Sequence, residues 1–348
     1  MLKKTDARLG EFQAFMSKNG VEAYVVSSPA DQYFLTGFRM DDWTLLVTPK
    51  HARGFMPEMF VGQFRDIAPF CDAEKAVYPH KAVVAAIKAA KITRAAFDGG
   101  NETFVSGMFW RKNGLHDLPG AVAHLRRRKD AFEAGLIAKS CKIAVKAYKT
   151  LLPEIKPGMT ENQVRARLEY LMDMMGAKEP SFSIIIGSGP NAALPHHITS
   201  DRKLRKNETL LLDFGCRYNG YCSDITRTIF LGRPTEEFRK IYAIVDKSQE
   251  AGVKAVRAGV MTGDVDKICR GIISDAGYGD KFTHGTGHGL GLDIHEPPRL
   301  NNNPALNVSL ETGMAVTVEP GIYLPGKFGV RIEDTVLVTK TGCDVLTR

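Results

Sequence analysis

Asp213 and Asp224 stand 11 residues apart in DFGCRYNGYCSD, on either side of an Asn-Gly pair. The preceding ETLLLDF is apolar and reads as a buried strand. The following SDITRTIFLG, rich in Thr and Ile, reads as a second. Asn219-Gly220 between them predicts a two-residue type I′ turn with positive φ at both positions. That register sets Tyr218 opposite Tyr221, Gly215 opposite Asp224 and Asp213 opposite Thr226. Asp213 and Asp224 are then diagonal neighbours on one face, roughly 7–8 Å apart at Cα and within reach of one ion. Two such carboxylates beside an apolar strand need a shared cation or a shared proton. The alternative is a pair of edge-strand aspartates in water, and this stretch alone leaves both open.

Further along, FTHGTGHGLGLDIHEPPR carries His284, His288 and His295, in a chain with only nine histidines. Glycines beside His288 allow close backbone approach. AVTVEPGIYLPGKFGVRIEDT then places Glu319 at the end of an apolar strand and Glu333 on the strand after a Gly-Lys turn. The spacing of 14 would put these acids on opposite faces across a two-residue turn. An odd-length loop or a bulge near 324–329 is therefore expected, to bring them together. Four carboxylates meeting at one axis need compensating charge, which two divalent cations supply. Oxygen ligands with one imidazole suit Mn²⁺, Co²⁺ or Zn²⁺. Two metals about 3.5–4 Å apart hold a bridging hydroxide at neutral pH.

The elements that position these residues fall into two parts. The first alternates: a helix over 5–19, strands over 22–27 and 43–48, a helix over 81–90, a strand over 94–97 and a helix over 101–112. That pattern predicts an α/β domain with a mixed or parallel sheet. It changes at Pro119-Gly120 and the basic run Arg126-Arg127-Arg128-Lys129, so the expected domains are 1–125 and 126–348. The second part shows an internal repeat. A long helix (130–152, then 235–257) leads through a Gly turn to a Thr N-cap, Thr160 or Thr262, and a second helix that stops at Gly176 or Gly277. Thr160 with Gln163 forms a capping box. Two helix–helix–strand units predict a pseudo-symmetric α+β domain.

Composition sets the outer bounds. A chain of 348 residues, 44% hydrophobic and 25% charged, is ordinary for a soluble two-domain protein. No run is long enough to span a membrane and the polar N-terminus is unlike a signal peptide, so a cytoplasmic location is expected. Six cysteines without a C-x-x-C pair argue for reduced thiols and against a structural zinc site. The net charge of +8 is scattered. The single basic run lacks interleaved aromatics, which argues against nucleic acid as a partner.

DFG…GYCSDITRT, HGTGHGLGLDIHEPP and VEPGIY…GVRIEDT resemble the signatures of the pita-bread (creatinase/aminopeptidase-like) metallopeptidases. AYVVSSPADQYFLTGF, residues 23–38, resembles the start of the N-terminal domain of the Xaa-Pro dipeptidases (prolidases) and Xaa-Pro aminopeptidases. The resemblance covers nearly the whole chain. It implies five metal ligands: Asp224 and Glu333 bridging two divalent ions, Asp213 on one, His288 with Glu319 on the other. Glu319 would also be a base toward the bridging water. His196 matches a histidine near the scissile bond. His284 and His295 match residues that contact substrate or pass protons, although a supporting role fits them too. Arg331 matches an arginine that orients carboxylates. Arg299 would hold the free carboxylate of a dipeptide, or be a solvated loop residue. His197 reads as a surface or pocket-wall residue, Tyr323 as packing, Trp43 and Trp110 as core or interface. The expected partners are short Xaa-Pro peptides and a second copy of the chain, with Mn²⁺ as the first metal candidate. An aminopeptidase without proline preference and a non-catalytic peptide-binding protein are the alternatives. The complete ligand set argues against the latter, and against metal-free creatinase.

Overall fold

The computed structural model describes residues 2–348, in a first compact unit ending at Arg126 and a second, Arg127–Arg348.

In the first unit one six-stranded sheet runs, edge to edge, through Asp72–Lys75, Ala52–Met56, Thr44–Val47, Ala23–Val26, Ala95–Phe97 and His116–Asp117. Ala23–Val26 pairs antiparallel with Thr44–Val47 and parallel with Ala95–Phe97, so the sheet is mixed. AYVV and TLLV are buried at every position, as central strands covered on both faces must be. The helix Pro29–Thr36 begins at Ser28, whose hydroxyl accepts from the Asp31 N–H, and ends at Gly37 with φ 75°. Trp43 and Trp110 are buried in the core of this unit, and the Trp110 indole donates to Glu102.

The second unit repeats one plan. Helices Ala131–Leu151 and Glu161–Met174 accompany the antiparallel strands Ile185–Ser188, Glu208–Phe214 and Ile225–Leu231. Helices Glu236–Ala255 and Thr262–Asp275 accompany Gly287–Gly289, Ala315–Val318 and Asp334–Val338. Leu168, Ile186, Leu210, Leu212 and Phe214 centre the first half's core. Val265, Cys269, Val316, Val318 and Val336 centre the second's.

Local chemistry explains the matching ends. Thr160 and Gln163 form a reciprocal capping box, and Gly176 and Gly277 close their helices at φ 98° and 85°. The second copy departs at its start. Thr262 is the first helical residue, not the cap, and the capping position is Met261. The Gly263 N–H instead bonds to the Asn307 side chain, supplied 44 residues further on. Thr160→Ala is expected to cost about 1 kcal/mol. That would appear as roughly 2–4 °C in Tm by scanning calorimetry.

All six cysteines are free thiols, five of them buried.

Candidate metal centre

The Asn219-Gly220 turn has φ of 47° and 84°. Tyr218 faces Tyr221 and Asp213 faces Thr226, so Asp213 and Asp224 sit diagonally as the turn type requires. In the second half the loop between Leu324 and Phe328 is three residues, 325–327, with Gly326 at φ 75°. Val318 faces Asp334 on one side and Gly321 faces Arg331 on the other, a single register that sets Glu319 directly opposite Glu333. The odd-length loop thus undoes the parity problem of the 14-residue spacing. Asp224 and Glu333 each immediately precede the third strand of their half.

All ten residues singled out in the sequence line one cleft of about 1070 Å³ within the second unit. Asp224, His288 and Glu333 are buried, and one ligand atom from each lies within 4.8 Å of the others. The His288 Nδ1–H donates to the Gly289 carbonyl, because a carbonyl only accepts. Its Nε2 lone pair then faces Asp224 Oδ2 at 3.5 Å and Glu319 Oε1 at 3.4 Å. Burial and the nearby His295 push His288 down to about 3, so the ring is neutral at physiological pH. An imidazole lone pair and two carboxyls converge there. With the carboxyls ionised, a cation completes the arrangement; without one, they must hold a proton. Asp213 points the same way: its Oδ1 is buried without a hydrogen-bond partner among the described residues, while Oδ2 takes a short bond from Arg331.

The carboxyls register the crowding. Burial, then the charges of Glu333, Asp213 and Glu319, raise Asp224 well above the usual range. Burial, then Glu319 and Asp213, do the same to Glu333. Glu319 is pushed up to about 7, chiefly by burial and despite Arg331.

Around these acids runs a network the sequence did not reveal. Arg331 Nε donates to the Thr226 hydroxyl at 3.1 Å, and Thr226 donates to Glu333 at 2.7 Å. Arg331 Nη1 donates to the Tyr323 hydroxyl at 2.8 Å. Tyr323 in turn donates to His284 Nε2 at 2.7 Å, and His284 Nδ1 donates to Gly285 O. Tyr323 was expected only to pack; it links His284 to Arg331. Both nitrogens of His284 are thus engaged, one of them with Tyr323. Its pKa falls to about 4, through burial and the Arg331 charge. His197 is a pocket-wall residue rather than a surface one: it lines the cleft, and its side chain is 9% exposed and bonded to Glu161 at 2.9 Å. His196 and His295 are exposed on the cleft wall, with the His295 ring centred 4.4 Å from that of His288. Arg299, opposite His288 in the sheet, is exposed on the same wall with no ion-pair partner among the described residues.

A buried, oxygen-rich donor set divided between the two halves of a pseudo-symmetric unit is that of a pita-bread metallopeptidase. Residues 135–340 match metallopeptidase family M24 and residues 8–127 match the creatinase/prolidase N-terminal domain; the chain belongs to this family. It is 36% identical over 346 residues to an Xaa-Pro dipeptidase of Pyrococcus furiosus, covering 98% of this chain and 97% of that one. An Xaa-Pro dipeptidase from Bacillus anthracis superposes with a TM-score of 0.94 at 33% identity, covering 99% and 98% of the two chains. An X-Pro aminopeptidase from Thermotoga maritima superposes with a TM-score of 0.91 at 29% identity, covering 98% and 97%. Family membership implies divalent metal ions, and the donor set fits them.

Proposed function

We propose that this protein hydrolyses the bond between an N-terminal residue and proline in dipeptides, using two divalent cations, Mn²⁺ before Co²⁺ or Zn²⁺. The observation that carries this reading is the buried Asp224, His288 and Glu333 cluster in a chain alignable over 346 residues with an Xaa-Pro dipeptidase. Asp213, Asp224, His288, Glu319 and Glu333 would hold the two ions, with Asp224 and Glu333 as the residues shared between them. Bound there, the cations supply Lewis acidity and a water made nucleophilic at neutral pH.

The side chains then divide the work. Glu319 accepts the proton of the attacking water and delivers it to the proline nitrogen, a tertiary amide with no N–H of its own. His196 and His295 reach the scissile carbonyl from the cleft wall. Arg331 restrains Asp213 directly and Glu333 through Thr226. Arg299 takes the substrate carboxylate. A cytoplasmic homodimer acting on peptides, without nucleic acid or membrane, completes the proposal.

The cleft volume favours one second reading, an aminopeptidase acting on longer Xaa-Pro peptides. Initial rates on Ala-Pro, Ala-Pro-Ala and Ala-Ala-Ala, with metal-stripped and reloaded protein, separate the two. Turnover of Ala-Pro alone supports the dipeptidase. Turnover of Ala-Pro-Ala supports the aminopeptidase, and turnover of Ala-Ala-Ala removes the proline requirement. No turnover with any metal, while calorimetry shows two ions bound, sinks the enzymatic reading. In the same assay Arg299→Ala should raise KM for Ala-Pro roughly tenfold. That corresponds to about 1.4 kcal/mol of charge-assisted hydrogen bonding. Unchanged KM would make Arg299 a solvated loop residue.

A further inference from the structure

His196 stands exposed on the cleft wall with no hydrogen-bond partner among the described residues. Its place is therefore set by the backbone that carries it. That backbone, 188–200, is held from behind by one side chain. Glu161 is the first residue of the helix Glu161–Met174 and is fully buried. Its Oε1 accepts from Ser188 N at 2.8 Å, Ser188 Oγ at 2.7 Å and Asn191 Nδ2 at 2.9 Å. Its Oε2 accepts from His197 Nε2 at 2.9 Å, Ser200 N at 3.1 Å and Ser200 Oγ at 2.6 Å. One carboxylate thus grips both ends of the segment and the neighbour of His196.

Burial alone would raise this acid. The bonds from Ser200, Ser188 and His197 instead hold it below the ordinary glutamate range, and the helix N-terminus favours the same charge. Pro195, Ile198 and Thr199 of the pinned segment line the cleft; Glu161 does not. On the cleft side Arg331 Nη1 bonds to Pro195 O at 3.3 Å, so the segment is fixed between Glu161 and the arginine of the metal centre. The second half uses a similar device. Asp266, buried on the helix Thr262–Asp275, accepts from Thr286 N and Oγ1, between His284 and His288.

We propose that Glu161 is a positioning residue for hydrolysis, acting through His196 by fixing the segment 188–200 against the cleft. The proposal rests on the reading that His196 meets the substrate. A charged acceptor with six donors cannot be replaced by an amide of the same shape, since the Gln NH₂ would face donors.

The test uses the metal-loaded full chain and a double-mutant cycle. Glu161→Gln is expected to lower kcat on Ala-Pro by about 10- to 100-fold, the cost of misplacing a group by about 1 Å. KM and the number of bound ions should stay as in the parent. Hydrogen exchange followed by mass spectrometry should rise across 188–200. In a His196→Ala background, Glu161→Gln should then cost nothing further. Additive losses would overturn the proposal while leaving His196 its role. A silent His196→Ala would overturn both. Should Glu161→Gln fail to fold, Ser200→Ala and Asn191→Ala each remove one donor and are put through the same cycle. They are expected to give smaller, still non-additive losses, and additive ones overturn the proposal equally.

Discussion

Replacing Glu333 by Gln should reduce metal-dependent hydrolysis of Ala-Pro by about three decades or more. Glu333 shares a sphere of 4.8 Å with Asp224 and His288 and faces Glu319 across one sheet register. Glu333 also accepts from the Thr226 hydroxyl, which Arg331 holds in turn. An amide there removes one of the negative charges that hold two cations. It also offers an N–H where a lone pair is required. Lewis-acid stabilisation of several kcal/mol is at stake, which converts to roughly three powers of ten in rate. Asp224→Asn should behave alike, since Asp224 occupies the matching position in the other half. Neither substitution should unfold the metal-free protein, because each removes a charge that burial and neighbouring acids already disfavour. Rates against added Mn²⁺, with ion content measured by calorimetry, decide the matter. Retained activity in either variant would take both residues out of the bridging positions.

The acid pairs were legible in the sequence because turn chemistry is local. Asn219-Gly220 fixes φ at two residues, the turn fixes the register, and the register fixes which carboxylates share a face. The same parity argument, run backwards from Glu319 and Glu333, required an odd loop, and 325–327 supplies it. The alternation of helices and strands in the first part gave the mixed sheet. It did not give Asp72–Lys75, whose DAEK is polar and which lies at the sheet edge with one neighbour. An edge strand open to water carries no hydrophobic signal.

What stayed hidden depends on partners far apart in the chain. Thr226 reads as a β-former, and its bond to Glu333 spans 107 residues. Tyr323 reads as packing until His284 and Arg331 are placed on either side of its hydroxyl. Glu161 reads as an ordinary acid in the first turn of a helix. Its function as a hub for Ser188, Asn191, His197 and Ser200 arises only when a distant segment folds over it. Thr262 shows the converse. A local cap was expected from residue type, and Asn307 took its place.

Stripping the cations should make stability fall as pH rises toward neutrality. In the metal-free protein Asp224, Glu319 and Glu333 all titrate above their ordinary values, Glu319 at about 7. A carboxyl raised in the folded state contributes stability that is complete below its unfolded pKa. That stability is lost as pH rises through the folded one. Between its ordinary 4.5 and its folded value of about 7, Glu319 alone should therefore weaken the metal-free protein by up to about 1.4 kcal/mol per pH unit, and Asp224 and Glu333 act in the same direction. The histidines act in the opposite sense over an overlapping window. His288 and His284, depressed to about 3 and 4 by burial, favour folding above pH 6.5 and lose that contribution as pH falls. Below neutrality the carboxyl and histidine contributions of the metal-free protein therefore oppose one another. Cations compete with the same protons, so saturation with Mn²⁺ should remove the carboxyl part of that dependence. At 100-fold over Kd each occupied site adds about 2.7 kcal/mol, or roughly 5–10 °C for a unit of this size. Calorimetric scans at pH 5, 6 and 7, with chelator and with Mn²⁺, should therefore show a gap that widens with pH. A gap constant with pH would mean that the four acids are neutralised by something other than a bound cation.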